Sequence, residues 1–505
     1  MFDWGIFSYM DINKSKILFA LFFLMTISGA RAEAESAKDL SVESVGEISA
    51  WMTVDNAIEI ALHQSYRMAM ARQTMAEAKA EWDKNRSDYT FKESLRYDTE
   101  KSIDKPANGI DNETTQQEIK YTLSRDVLTG ERLGGKLTSA LSLSIAEENA
   151  SLNSVDSKNY NAGPSIDFTY KQPLTGHGRE ANLAAMTMAD YRLKIADSEF
   201  DLEQERLIYE ITNSFFNVIK EKELIKLLKE NVKVTQRQLE KSRVQARLGN
   251  IAEIEVSKLE VQLGRDENAL LNAERRYKST NEQLLLDIGY KGERVMAHTP
   301  AKIEKQSIEI GLAFQLAEGN RKELKVIEFE IDSLRSQLSQ TKSTDDPTLT
   351  LSAGYRHGSS SDKYSDIGSF NEESWNVLMS VEYPFDNHGR SDAESRSVNA
   401  KITKLQISKK RQADDIHKEI RDAYRDIDSS IKTYKILDRA AKLSEENLNI
   451  DELRFNKGVI SSDDLMRTQN ESLQIKVDRF NALIDFEIAQ VKLYYSMGRI
   501  KEYYL

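Results

Sequence analysis

The chain has 505 residues, 40% apolar and 30% charged, with a net charge of -12 and a mean hydropathy of -0.56. That balance excludes a membrane protein built of apolar helices and leaves any membrane embedding to another architecture. Acidity without a basic, aromatic-interleaved patch argues against a nucleic-acid partner, and the absence of Cys excludes disulfides, thiolate metal sites and a lipidated Cys.

In chain order, the first element is a leader. Lys14 and Lys16 precede an apolar core from Ile17 to Ile27, and Ala30-Arg31-Ala32 supplies small residues for cleavage. We expect an export signal over residues 1–32, for which Met10 offers a more ordinary start. Retained as a helix, about 11 residues would span only about 16 Å, too little for a bilayer.

The remaining chain alternates between two periods. A helix is expected from Val54 to Lys84, then alternating strands around Leu137–Ile145 and Ile166–Tyr170. Two further alternating runs, Tyr89–Tyr97 and Ile119–Val127, suggest an extra hairpin before them. From Arg179 to Arg247 there is no Pro or Gly, so one helix of about 100 Å is expected, ending at Gly249. A return helix follows from Ile251 to Ile288, and Pro300 marks a linker. The order then recurs: a helix from Ile308 to Lys342, strands in TLTLSAGYR and WNVLMSVEYP, a long helix from Ser391 to Lys457, Gly458, and a return helix from Ser461 to Met497. Each long helix should lie beside two shorter ones stacked end to end. Half-buried strands of a soluble sandwich would show the same alternation as lipid-facing ones.

The recurrence extends to individual residues. Phe215 and Tyr424, Gly249 and Gly458, and Gly289 and Gly498 are each 209 positions apart. Two columns with a seven-residue step, Ile211 to Ala246 and Ile420 to Phe455, share that offset and ask for coiled-coil packing, with a plain helix bundle as the alternative. We read two tandem repeats, residues 33–299 and 300–505.

One phrase is repeated almost verbatim, KQPLTGHGRE and EYPFDNHGRS. Pro173 and Pro384 suit the end of a strand, Gly178 and Gly389 a bend, and Glu180 and Asp392 the first helical turn. The phrase therefore reads as a strand-to-helix corner. His177 and His388 lack the accompanying carboxylates and thiolates of a metal site, so no metal or other cofactor is expected.

The opening VDNAIEIAL, the corner QPLTGHGR, the helix motif NSFFNVIKEKEL, the turn RLGNIAEIEV and the closing LLLDIG and YYSMG together resemble the TolC-type outer membrane efflux protein family over nearly the whole chain after the leader. The resemblance implies a mixed α and β membrane protein: a homotrimer whose strands form one outer-membrane β-barrel, continued by a long periplasmic α-helical coiled-coil tunnel. It implies a passive exit duct embedded in outer-membrane lipid, serving a periplasmic adaptor (membrane fusion) protein and an inner-membrane transporter in efflux or type I secretion. Gly249 and Gly458 would mark the periplasmic tip, and Asp464, with Asp463 beside it, the pore entrance. Where some members carry a second Asp and a tip Arg, this chain has Arg467 and Ile460. Helix capping after Ser461 and Ser462 would also explain the two Asp residues. The family standard is four strands per subunit and twelve per trimer, so we expect the extra hairpin outside the membrane or extending existing strands.

No nucleophile elbow, phosphate loop or nucleotide fingerprint occurs, so no enzyme is expected. The rival reading is an exported coiled-coil structural or surface-adhesion protein, which leaves the duplicated corners unexplained.

Overall fold

A computed structural model describes residues 51–87, 89–104, 111–129, 133–152, 155–175, 177–249, 251–292, 295–296, 308–358, 370, 372–385 and 389–504. The expected leader, Met10, Pro300 and His388 lie outside them. All elements belong to one unit, Trp51–Leu505.

The short strand β1 (Trp51–Met52) leads into α1 (Val54–Gln64), whose N-cap Thr53 accepts a hydrogen bond from the Asn56 N–H, and then α2 (Tyr66–Ser87). The single helix expected here is broken at Ser65, which adopts ψ 143° and whose Oγ accepts from the Met68 N–H. After four strands, β2 (Lys92–Asp104), β3 (Asp111–Thr129), β4 (Leu133–Leu152) and β5 (Val155–Pro173), the chain enters α3 (His177–Arg247), 71 residues long. It returns as α4 (Glu253–Asp287), followed by β6 (Val295–Met296), which pairs in parallel with β1.

A second helix break separates α5 (Ile310–Asn320) from α6 (Lys322–Lys342), with Arg321 extended between them at ψ 119°. Strands β7 (Thr348–Gly358) and β8 (Glu372–Glu382) follow, then α7 (Arg390–Asn456), α8 (Ser462–Ser496) and α9 (Ile500–Tyr504). At 1.5 Å per residue, α3 and α7 each run about 100 Å. As expected, α3 packs against α1, α2 and α4, and α7 against α5, α6 and α8.

Both breaks face a glycine. Gly289 (φ 75°) and Gly498 (φ 68°) close α4 and α8. A Cβ at Gly289 would sit 2.4 Å from the Gln64 carbonyl oxygen, and one at Gly498 would sit 3.1 Å from the Asn320 carbonyl carbon. Each stacked pair of short helices is thus interrupted where a return helix ends against it.

The seven-residue columns are buried, fully at Ile211, Val218, Val232 and Leu239 on α3 and at Ile420, Ile427, Ala441 and Phe455 on α7. They feed several separate cores. One gathers Phe215, Ile58, Leu284 and Met296, another Ala317, Ile420 and Phe486, and a third Leu239, Leu259, Phe455 and Leu465 near the helix turns.

Strands β2, β3, β4, β5, β7 and β8 form one six-stranded sheet in that order, antiparallel throughout. The extra hairpin, β2 with β3, is therefore part of the same sheet: β3 pairs with β4 from Asp111↔Ser151 to Thr129↔Leu133. Pro173 ends β5 as expected, but Pro164 lies inside that strand. The position is tolerable because, among the described residues, β7 pairs with β5 only from Ser165 onward and Pro164 has its ladder partner, Leu143, on β4 alone.

Candidate functional site

The site begins at the turns between the long and return helices. Gly458 (φ 71°) follows α7, and its N–H and that of Val459 donate to the carbonyls of Phe455 and Arg454, each at 2.9 Å. This is a left-handed helix cap. Gly249 (φ 77°) stands in the same place after α3, its N–H 3.0 Å from the Ala246 carbonyl.

Ser461 caps α8. Its Oγ accepts from the Asp464 N–H at 3.2 Å, while its hydroxyl donates to the Asp464 carboxylate at 2.8 Å. Asp464 also pairs with Arg467 at 3.5 Å. Asp463 faces the other turn and pairs with Lys258 of α4 at 2.6 Å. Alongside, Glu255 accepts from the Ser462 N–H at 2.9 Å and from its hydroxyl. Those two Ser462 bonds, then Lys258, hold Glu255 below the usual carboxylate range, and Asp463 followed by Glu255 raises Lys258.

The two turns are therefore latched to each other, and both Asp side chains remain about half exposed, at 60% and 51%. Sequence reasoning had found the acids and the capping serines but not Glu255 and Lys258. The available signal was their placement within the first two turns after Gly249, opposite Ser462 and Asp463.

Above the turns lies a buried polar layer that the sequence reading also missed. The Gln469 carboxamide donates to Asn231 at 2.7 Å and to Thr235 at 3.0 Å, and the Thr235 hydroxyl donates to Asp266 at 2.8 Å. Burial pushes the Asp266 carboxyl upward against the hydrogen bonds of Thr235 and Gln262. The signal is the column three positions along from the apolar one, where Leu228 gives way to Thr235 and Ser242. Further along, at the second helix break, buried Arg321 pairs with Glu323 at 2.8 Å and Glu419 at 2.9 Å. Nearby, Lys322 and Lys501 share Asp201, at 2.5 and 2.9 Å. Burial lifts neighbouring Glu205 to about 7 despite the two lysines.

At the other end, the two corners differ. Gly389 has φ 72° and precedes α7, whereas Gly178 lies inside α3, the second residue of a helix that starts at His177. The first corner is tied down by Thr175, whose hydroxyl donates to the Pro347 carbonyl at 3.1 Å and accepts from the Leu349 N–H at 3.2 Å. Pro384 follows β8 with exposed Tyr383 and Phe385 on either side, their rings 5.3 Å apart. Among the described residues no helix is long and apolar enough to cross a membrane, and no group of His, Cys, Asp or Glu has the arrangement to hold a metal.

The sheet's two faces contrast. Trp375, Val377, Met379 and Val381 on β8 are exposed, 62% or more, and are paired with Tyr355, Ala353, Leu351 and Leu349. The alternate positions carry Ser142, Ser165, Asp167 and Arg356, joined by a 2.7 Å hydrogen bond between the serines and a 3.5 Å Arg356–Asp167 pair.

Long paired helices joined through Pro and Gly corners to a two-faced antiparallel sheet can be set against known proteins. Residues 313–499 match the family described as outer membrane efflux protein. The matched stretch takes in most of α5 and all of α6, β7, β8, α7 and α8, so the Gly458 turn with Asp463 and Asp464 and the apolar strand β8 lie in it, while Glu255 and Lys258 lie outside. The fold extends further. CusC, whose structures follow folding and transmembrane channel formation, is 14% identical with a TM-score of 0.67 over 88% of this chain and 92% of its own. VceC of Vibrio cholerae, an outer membrane protein, is 14% identical with a TM-score of 0.64, covering 88% and 96%. The MtrE outer membrane channel of Neisseria gonorrhoeae, in its open state, is 14% identical with a TM-score of 0.61, covering 88% and 89%. A comparison with curated protein sequences gave no match.

Proposed function

We propose that this protein is an outer-membrane exit duct: a homotrimer whose sheets close a barrel in the outer membrane and whose helices enclose a periplasmic tunnel. The carrying observation is the exposed apolar face of β7 and β8 in a chain where no described helix can cross a membrane. In lipid such a face is satisfied only if the sheet closes, because open strand edges leave unpaired backbone groups. A sheet of six strands has two such edges, and joining copies removes them all. The exposed Tyr383 and Phe385 suit the aromatic girdle at the bilayer boundary.

In this reading the latched turns around Gly249 and Gly458 form the periplasmic tip, where a periplasmic adaptor and an inner-membrane transporter engage and supply the energy. The duct itself is passive and carries no cofactor. Tripartite efflux and type I secretion use the same duct chemistry, and co-purification of the adaptor separates them. A non-transporting coiled-coil surface protein would have no use for the apolar sheet face. Fractionation followed by unheated and heated gels checks the proposal: a membrane-bound trimer that dissociates only on heating is expected, and a soluble monomer would overturn it.

A further inference from the structure

Resting on that reading, we propose that the extra hairpin is part of the membrane wall, so that the barrel has six strands from each of three chains, eighteen in all, and closes by pairing β2 of one copy with β8 of the next. The twelve strands implied by the family resemblance would require β2 and β3 to leave the sheet. The structure instead keeps β3 in register with β4 along the whole of both strands.

The outward face continues across the hairpin. Register aligns Leu95 with Tyr121, Leu141 and Ile166, and Tyr97 with Ile119 and Leu143. Leu95 and Tyr97 are 61% and 59% exposed, apolar side chains on the terminal strand of the sheet. Charges bracket this patch. Glu93 and Arg125, the latter over the Phe91 ring at 5.3 Å, stand at the helix side. Lys101, paired with Glu113, stands at the far side. From Glu93 to Lys101 is about 26 Å along the strand at 3.3 Å per residue, and the outward positions between them are Leu95, Tyr97 and Thr99, facing Tyr121, Ile119 and Gln117.

The opposite face of the hairpin is as polar as the rest of the lumen side, with Ser94, Arg96 and Asp98 on β2 opposite Thr122, Lys120 and Glu118 on β3. Arg96 and Asp98 pair at 2.7 Å. Within one chain β2 and β8 are the two terminal strands of the sheet. An even number of strands per copy runs β2 up and β8 down, so the joint between copies is antiparallel like every other pair in the sheet. The consequence is an outlet about half as wide again as a twelve-stranded one, since diameter grows roughly in proportion to strand number.

The chain has no Cys, so introduced cysteines report cleanly. Ser94→Cys combined in turn with Ser374→Cys, Asn376→Cys and Leu378→Cys should convert the monomer band to covalent trimer under oxidation in at least one register, and the two strands are too far apart in one chain to link internally. Trimers that link Ser142→Cys on β4 to β8 instead, or that never link β2 to β8, would overturn the proposal. Spin labels at Leu95→Cys and Tyr97→Cys should meet lipid-soluble oxygen rather than a water-soluble relaxant, as labels at Val377→Cys and Met379→Cys should. If only the β8 labels meet lipid, the hairpin lies outside the wall and this inference fails. If none does, the membrane reading itself fails.

Discussion

At the scale of single residues, the glycines with positive φ are not equivalent. Gly249 has φ 77° and open space around its missing Cβ, whereas Gly289 has φ 75° and the Gln64 carbonyl in the way. Gly249→Ala should cost only the left-handed strain, about 1 kcal/mol, and Gly289→Ala about 2 to 4 kcal/mol through added overpacking. Thermal melts of the two purified variants check the ratio. The corners should also differ. Gly389→Val places a β-branched residue at φ 72° and should lower trimer yield, while Gly178→Val, within α3, should not. Both corners had been expected to need their glycine, because the two phrases read alike in sequence. Charge at the turns gives another test. With Lys258 set against Asp463, Lys258→Gln should strengthen block of the conducting trimer by multivalent cations, and Asp463→Asn with Asp464→Asn should weaken it, read in bilayer conductance.

Among elements, the helix breaks decide most. Ser65 and Arg321 interrupt helices whose apolar spacing runs straight through them; no Pro or Gly stands beside Ser65, whereas Gly319 and Asn320 directly precede Arg321. Burial of the surrounding charges has a pH signature. Glu205 has a folded pKa of about 7 against an ordinary 4.5. The folded state thus holds its proton more tightly, so its contribution is full below 4.5 and is lost as pH rises through about 7. Glu205→Gln should therefore narrow the difference in Tm between pH 5 and pH 8, roughly bracketing those two values. Ser461→Ala removes the α8 cap and should cost about 1 kcal/mol, with trimer assembly preserved because the Glu255–Ser462 bond remains.

For the whole molecule, each chain presents a sheet with two terminal strands and an exposed apolar face, and neither is tolerable alone in lipid. Assembly should therefore be obligatory. Mass measurement in mild detergent should find trimers and no stable folded monomer, and charges placed on β8, as in Val377→Glu, should abolish membrane assembly while leaving the helical content by circular dichroism nearly intact. Lumen-side changes such as Asn376→Asp should leave assembly unchanged.

The element order, the length of the two long helices, the capped turns at Gly249 and Gly458, and β7 and β8 were legible from sequence. Each rests on a local rule: period in hydropathy, exclusion of Pro and Gly from helix interiors, and the left-handed conformation that glycine accepts. Asp463 and Asp464 were also visible as acids after capping serines. Lys258, the partner of Asp463, was not, because it lies 205 residues away, and only tertiary packing brings the two turns together. The same holds for Thr235, Asp266 and Gln469, for the helix break at Ser65 opposite distant Gly289, and for the place of the extra hairpin. Alternation announces that a strand has two faces, but which strand lies beside it is a long-range pairing, and that pairing put β2 and β3 in the common sheet.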